Sequence, residues 1–191
     1  MVMTASTMLE LGTKAPDFDL PDVMSGSNVK LSFFTGEKAL LVMFICRHCP
    51  FVKHIEVELA KLGHDYGKKG VGVVAISSND AENFPDDAPA ELKGMGKKLG
   101  FNFPFLYDES QKVAQAYQAA CTPDFFLFDG QLELVYRGQL DASRPGNSEP
   151  VNGKDLRAAI DAVLAGKHVV EDQHVSTGCN IKWKAGNEPK Y

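Results

Sequence analysis

Cys46 and Cys49 stand three positions apart around Arg47 and His48, with Pro50 directly after. Sulfurs at i and i+3 in a first helical turn come close enough to bond. A helix N-terminus adds free N–H groups and the positive end of its dipole, which favour a thiolate. The thiolate is the nucleophile in disulfide exchange, and a C-x-x-C pair beside a β-α-β pattern is a specific redox signal. Order along the chain divides the work. Cys46, at the expected exposed mouth of the turn, attacks a substrate disulfide, and Cys49, set deeper, resolves the mixed disulfide. Arg47 and His48 add positive charge there, so they are expected to stabilise the thiolate and make the pair comparatively oxidising. A copper- or zinc-binding module is an alternative. A closed zinc site needs two further ligands, though, and the sequence has no second C-x-x-C or C-x-x-H pair. The expectation is therefore no metal and no cofactor, since sulfur carries the electrons.

Cys121-Thr122-Pro123 precedes an apolar stretch at 125–128. Cys121 reads as a small buried hydrophobe, with a third redox thiol as the sharper alternative. Cys179 lies in a tail that holds the only tryptophan, Trp183. Such a tail is expected to pack on the domain. If it folds over the active-site face, Cys179 becomes an auxiliary resolving cysteine. Gly153-Lys154-Asp155 falls short of a phosphate loop, because Gly146 is too far upstream and Asp155 replaces Ser/Thr. His54 and His64 read as surface residues of a helix, His168 and His174 as tail residues. Asp141, Ser143 and Arg144 read as a polar loop.

The elements that must position these residues follow from periodicity. Residues 39–45 are unbroken apolar sequence, which suits a strand buried on both faces. Val52, Ile55, Leu59, Leu62 and Tyr66 then keep to one helical face, with Pro50 in the first turn. A second apolar strand at 71–77 closes a right-handed β-α-β unit. Asp87 is placed to cap a helix carrying Leu92, Met95 and Leu99. After a short strand at 103–106, Asp108 is placed to cap a helix carrying Val113, Ala116, Tyr117 and Ala120. Asp129-Gly130 joins strands at 125–128 and 132–137 as a hairpin. A final helix carries Leu156, Ile160, Val163 and Leu164 and ends at Gly166. An extended N-terminal segment at 13–23 pairs back with 29–33. Parallel pairing early and antiparallel pairing late imply an α/β fold with a mixed central sheet flanked by helices.

These features in this order resemble the redoxin group of thioredoxin-fold proteins, the alkyl hydroperoxide reductase/thiol-specific antioxidant-like family. The Ala15-Pro16-Asp17-Phe18-Asp19-Leu20 segment, the strand leading into Cys46 and Cys49, and the Thr122-Pro123 strand start all match. The likeness covers roughly residues 12–164. It implies a thioredoxin-like domain at 1–166, with an N-terminal β extension and a C-terminal tail at 167–191. It also implies a cis Thr122–Pro123 bond facing the cysteine turn, with the backbone there binding an extended substrate. Departures exist. Ile45 replaces the usual tryptophan, and 40–44 lacks the acidic residue that accepts a proton. If Cys49-Pro50 took the peroxidatic place, Cys46 and Val42 would occupy the Thr/Ser and Pro positions, and the expected arginine would fall near Pro123. The reading is a thiol–disulfide oxidoreductase; a thiol-dependent antioxidant peroxidase is an alternative, since low-pKa thiolates react with peroxide. Its partners would be protein or small-molecule disulfides, or peroxides, with a thiol reductant such as thioredoxin or glutathione.

Composition bounds the rest. The chain has 191 residues, 44% hydrophobic and 24% charged, enough for one domain with a real core. A net charge of −5 with no long basic run argues against nucleic acid as a partner. The longest apolar run, at 39–46, is too short to span a bilayer, and 1–12 lacks a signal-peptide pattern. Four cysteines are too few for a disulfide scaffold. A cytoplasmic protein is expected.

Overall fold

The apolar run at 39–44 has no polar side to turn to water, so it becomes the middle strand of the main sheet. In the computed structural model, residues 3–191 are described; the first two residues of the expected 1–166 domain lie outside them. Before that strand come β1 (Met3–Ala5), β2 (Asp19–Pro21) and β3 (Asn28–Lys30). Then follow β4 (Ala39–Phe44), α1 (Pro50–Tyr66), β5 (Val71–Ser77), α2 (Pro89–Leu99), β6 (Phe105–Tyr107) and α3 (Lys112–Ala116). The chain continues through β7 (Cys121–Thr122), β8 (Asp124–Asp129), β9 (Leu134–Gly138), α4 (Lys154–Leu164) and β10 (Thr177–Asn180).

The main sheet runs β6-β5-β4-β8-β9, parallel from β6 to β4 and antiparallel from β4 to β9. Alternation along β4 splits the core in two. Leu41 and Met43 face α1, α2 and α4, where Val52, Ile55, Leu59, Leu62, Leu92, Leu156 and Ile160 meet them. Leu40, Val42 and Phe44 face α3 and the N-terminal extension. On that side Tyr117 packs edge-on against Phe126 and Phe128. The mixed sheet with helices on both faces is the one expected.

Several local expectations change. Ala88, not Asp87, is the N-cap of α2. Asp108 precedes α3 without capping it; its carboxylate accepts the Ala114 N–H and the Ser78 hydroxyl, and Gln111 takes the cap position. The stretch expected to pair at 29–33 is a strand only over β3, and Leu31–Phe34 winds into a 3-10 turn. The tail carries a strand that periodicity did not announce. There β10 pairs antiparallel with both β1 and β7, which lays the tail across the C-terminal end of β4. Among the described residues, no helix is long and apolar enough to cross a membrane.

Candidate active site

Cys46 and Cys49 sit where β4 ends and α1 begins. The strand ladder continues one residue further, the Ile45 N–H donating to the Ile76 carbonyl (3.0 Å). Cys49 is the extended N-cap residue of α1, and Pro50, which lacks the N–H that would be orphaned anyway, opens the helix. Both thiols face Thr122. Cys46 Sγ lies 3.3 Å from Thr122 Oγ1 and 4.0 Å from His48 Nδ1. Cys49 Sγ lies 3.2 Å from the Thr122 carbonyl oxygen and 2.8 Å from Cys179 Sγ. Neither Cys46 nor Cys49 is exposed. Cys46 is therefore not at an open mouth, because β7, β10 and the turn at 84–88 close over it.

The charge around the pair differs from the expectation. Arg47 turns outward, and its guanidinium pairs with Asp86 (3.0 Å) and Glu91 (3.3 Å). His48 Nδ1 is bound to the fully buried Asp87 carboxylate. Asp87 Oδ1 also accepts the backbone N–H groups of Arg47 (2.8 Å) and His48 (3.1 Å), while Oδ2 accepts from Asn79 (2.7 Å). The Phe84 ring stacks on the imidazole. Acidic side chains thus occupy both residues between the cysteines, and the Asp87 charge acts on Cys46. Burial pushes Asp87 up, but its hydrogen bonds with His48 and Asn79 outweigh that and hold it below the ordinary carboxylate range.

These contacts shift the three thiols in different directions. The Cys46 thiol donates to Cys49; this bond, burial and the Asp87 charge together raise Cys46 well above the ordinary thiol range. Cys49 is lowered to about 5 by that same bond, helped by Cys179 and the Val52 N–H against the cost of burial. Cys179 rises to about 12, through burial and then its bond to Cys49. A thiolate at the head of α1 on Cys49 is what the helix terminus and two neighbouring S–H donors favour.

The Thr122–Pro123 bond is cis and faces the pair. The chain itself takes up the edge of β7, with Cys179 opposite Thr122 and Asn180 opposite Cys121. Cys121 is buried, and burial and the Asp124 charge raise its thiol well above the ordinary range. The polar loop approaches from the other side of Pro123. Ser143 binds His54 (2.6 Å), and both line a shallow pocket with Phe51, Pro123 and Arg144. As for a metal, ligand atoms of Cys46, His48 and Asp87 lie within 4.8 Å of one another. That is three donors rather than the four of a closed zinc site, and the His48 and Asp87 donors satisfy each other. Sequence reasoning missed Asp87 as a site residue. Its local Pro-Asp-Asp-Ala-Pro setting reads as a helix start and carries no hint of a partner across the fold.

The fold so defined is thioredoxin-like. Residues 11–137 match the AhpC/TSA family, so the chain belongs to that family and is a thioredoxin-like oxidoreductase. It is similar to an uncharacterized conserved protein of Geobacillus kaustophilus, at 54% identity, 96% of this chain, 97% of that one and a TM-score of 0.94. A Mycobacterium tuberculosis protein carried under a provisional peroxiredoxin name is 30% identical over 117 residues, 61% of this chain and 69% of that protein. The thiol-disulfide oxidoreductase ResA of Bacillus subtilis is 25% identical over 144 residues, 74% of this chain and 75% of that protein.

Two outcomes are expected. Ultraviolet titration of the reduced protein should show a thiolate forming at a midpoint of about 5, absent in Cys49→Ser. Because the folded value lies below the ordinary 9.0, this group's stabilisation is complete above 9.0 and is lost as pH falls through about 5. A first thiolate that persists in Cys49→Ser would contradict the assignment. Asp87→Asn turns an acceptor into a donor toward His48 or Asn79 and should cost about 1–3 kcal/mol in urea unfolding at neutral pH. The variant should also lose the part of the acid destabilisation that sets in as wild-type Asp87 is protonated below the ordinary carboxylate range.

Proposed function

We propose that the chain catalyses thiol–disulfide exchange through Cys46 and Cys49. The observation that carries this reading is the placement of both thiols at the head of α1 against Thr122, Cys46 Sγ 3.3 Å from its Oγ1 and Cys49 Sγ 3.2 Å from its carbonyl oxygen. Cys49 draws the proton from Cys46 through their shared bond as Cys46 attacks a substrate disulfide, and the first substrate thiolate departs. That leaving group takes the proton from Cys49. Cys49, again a thiolate, attacks Cys46 Sγ; the Cys46–Cys49 disulfide forms and the second substrate thiolate leaves. No acidic residue in β4 is then required, which suits its all-apolar sequence.

Substrates in this reading are protein or small-molecule disulfides, and a thiol such as thioredoxin or glutathione regenerates the pair. Thr122 and Pro123 position the substrate backbone in this reading. A cytoplasmic setting belongs to the same reading.

Peroxide reduction is a second reading, favoured by one observation. The acidic Cys49 occupies the N-cap directly before Pro50. Its thiolate would attack the O–O bond to give a sulfenic acid, and Cys46 would then condense with it, releasing water.

Insulin reduction with dithiothreitol, run beside peroxide consumption, separates the readings. The wild type should accelerate insulin reduction. Cys46→Ser and Cys49→Ser should each lose this acceleration by about a thousandfold or more, the scale of removing a covalent nucleophile. A Cys46→Ser variant that loses disulfide reduction yet keeps rapid peroxide consumption would favour the peroxidase. Stoichiometric copper or zinc after purification, lost in Cys46→Ser, would favour metal binding.

A further inference from the structure

The family match ends at residue 137, well before the tail. Yet the tail is built into the site. In β10, Cys179 pairs with Thr122 on one side and Met3 on the other. Its neighbours fix it on both flanks. Ser176 Oγ donates to the Pro123 carbonyl (2.6 Å), and the Ser176 N–H donates to Ser6 Oγ (3.0 Å). Beyond the strand, the Ile181 N–H donates to the Ala120 carbonyl (3.1 Å) and the Lys182 N–H to Asn79 Oδ1 (2.8 Å). Between these anchors, Gly178 lies so close to Thr122 that a Cβ would overlap the Thr122 carbonyl and touch the Pro123 ring. Only glycine permits this approach, and the approach brings Cys179 Sγ to 2.8 Å from Cys49 Sγ.

Two features of this arrangement point the same way. The antiparallel edge beside the cis-proline is filled by an extended strand of the chain itself. That strand presents Cys179 Sγ at 2.8 Å from Cys49 Sγ, the sulfur that opens α1 three positions after Cys46. Cys46 Sγ points instead toward Thr122 Oγ1 and His48. A thiol on a rigid, doubly paired strand is pre-positioned for exchange, which is what efficient covalent chemistry needs.

We propose that Cys179 is a third redox residue, with β10 serving as a built-in exchange partner that takes over the disulfide at Cys49. The proposal rests on the Cys46–Cys49 exchange put forward above. Starting from the Cys46–Cys49 disulfide, Cys179 Sγ attacks Cys49 Sγ. The Cys49–Cys179 bond forms, the Cys46–Cys49 bond breaks, and Cys46 leaves as a thiolate that takes the proton Cys179 gave up. One disulfide and one thiol are present before and after, so no outside oxidant or reductant enters the step. The result is a reduced Cys46, ready for another substrate, while the tail strand holds the oxidising equivalent.

The test is disulfide mapping on the full chain. Protein oxidised with diamide is quenched in acid, alkylated and digested without reduction, and cross-linked peptides are measured by mass spectrometry. The wild type should yield both Cys46–Cys49 and Cys49–Cys179 peptides, and Cys46→Ser should yield Cys49–Cys179 within one chain. Gly178→Ala alters no sulfur but pushes β10 off Thr122; it should lower the Cys49–Cys179 yield about tenfold while Cys46–Cys49 still forms. If Cys46→Ser leaves Cys49 unbridged while the wild type forms Cys46–Cys49, the role of Cys179 is overturned and the exchange reading stands. If the wild type forms neither bridge, both fail. An unchanged Cys49–Cys179 yield in Gly178→Ala would overturn the claim that β10 sets the pairing.

Discussion

The arrangement depends on buried sulfurs meeting at the first turn of α1, where Cys49 Sγ lies 2.8 Å from Cys179 Sγ. Cys49 sits at the first turn of α1, enclosed by β7, β10 and the helix, where a thiolate would ordinarily be costly. Interactions with Cys46, Cys179 and the Val52 N–H offset that cost and hold the thiol below its ordinary range, while its S–H points at the Thr122 carbonyl. Remove either neighbouring sulfur and the buried charge loses part of its solvation. The main sheet serves this point by delivering the turn at the end of a strand packed on both faces, so the sulfurs have little freedom to separate.

Asp87 is the counterweight. Its buried carboxylate holds the N–H groups of Arg47 and His48 and the imidazole, and so fixes the two residues between the cysteines. The same charge adds to the effects of Cys49 and of burial in raising the Cys46 thiol. One residue thus shapes the turn and also polarises the pair. Arg47, whose side chain goes to surface acids, contributes through its backbone rather than its charge.

What could be read from the sequence follows the range of the interactions involved. The β4–turn–α1 unit was legible because its signals are local: an apolar run, two cysteines at helical spacing, a proline at the first turn and one apolar helix face. Thr122 and Pro123 were legible through resemblance to a family. Asp87 was not, because its partners lie about forty positions earlier in the chain and its own neighbourhood looks like a helix start. Nor was β10. Thr-Gly-Cys-Asn has little strand propensity, and its position is set by how Gly178 fits against Thr122, a fact of tertiary packing.

Equilibration with glutathione buffers of graded composition, followed by alkylation and counting of thiols at each cysteine, tests the central claim most directly. The account predicts one reversible two-electron step in which the Cys49 thiol disappears together with that of a neighbouring sulfur and both return on reduction. Cysteines that stay reduced across the whole series, or a Cys49 that oxidises alone and does not recover, would contradict it.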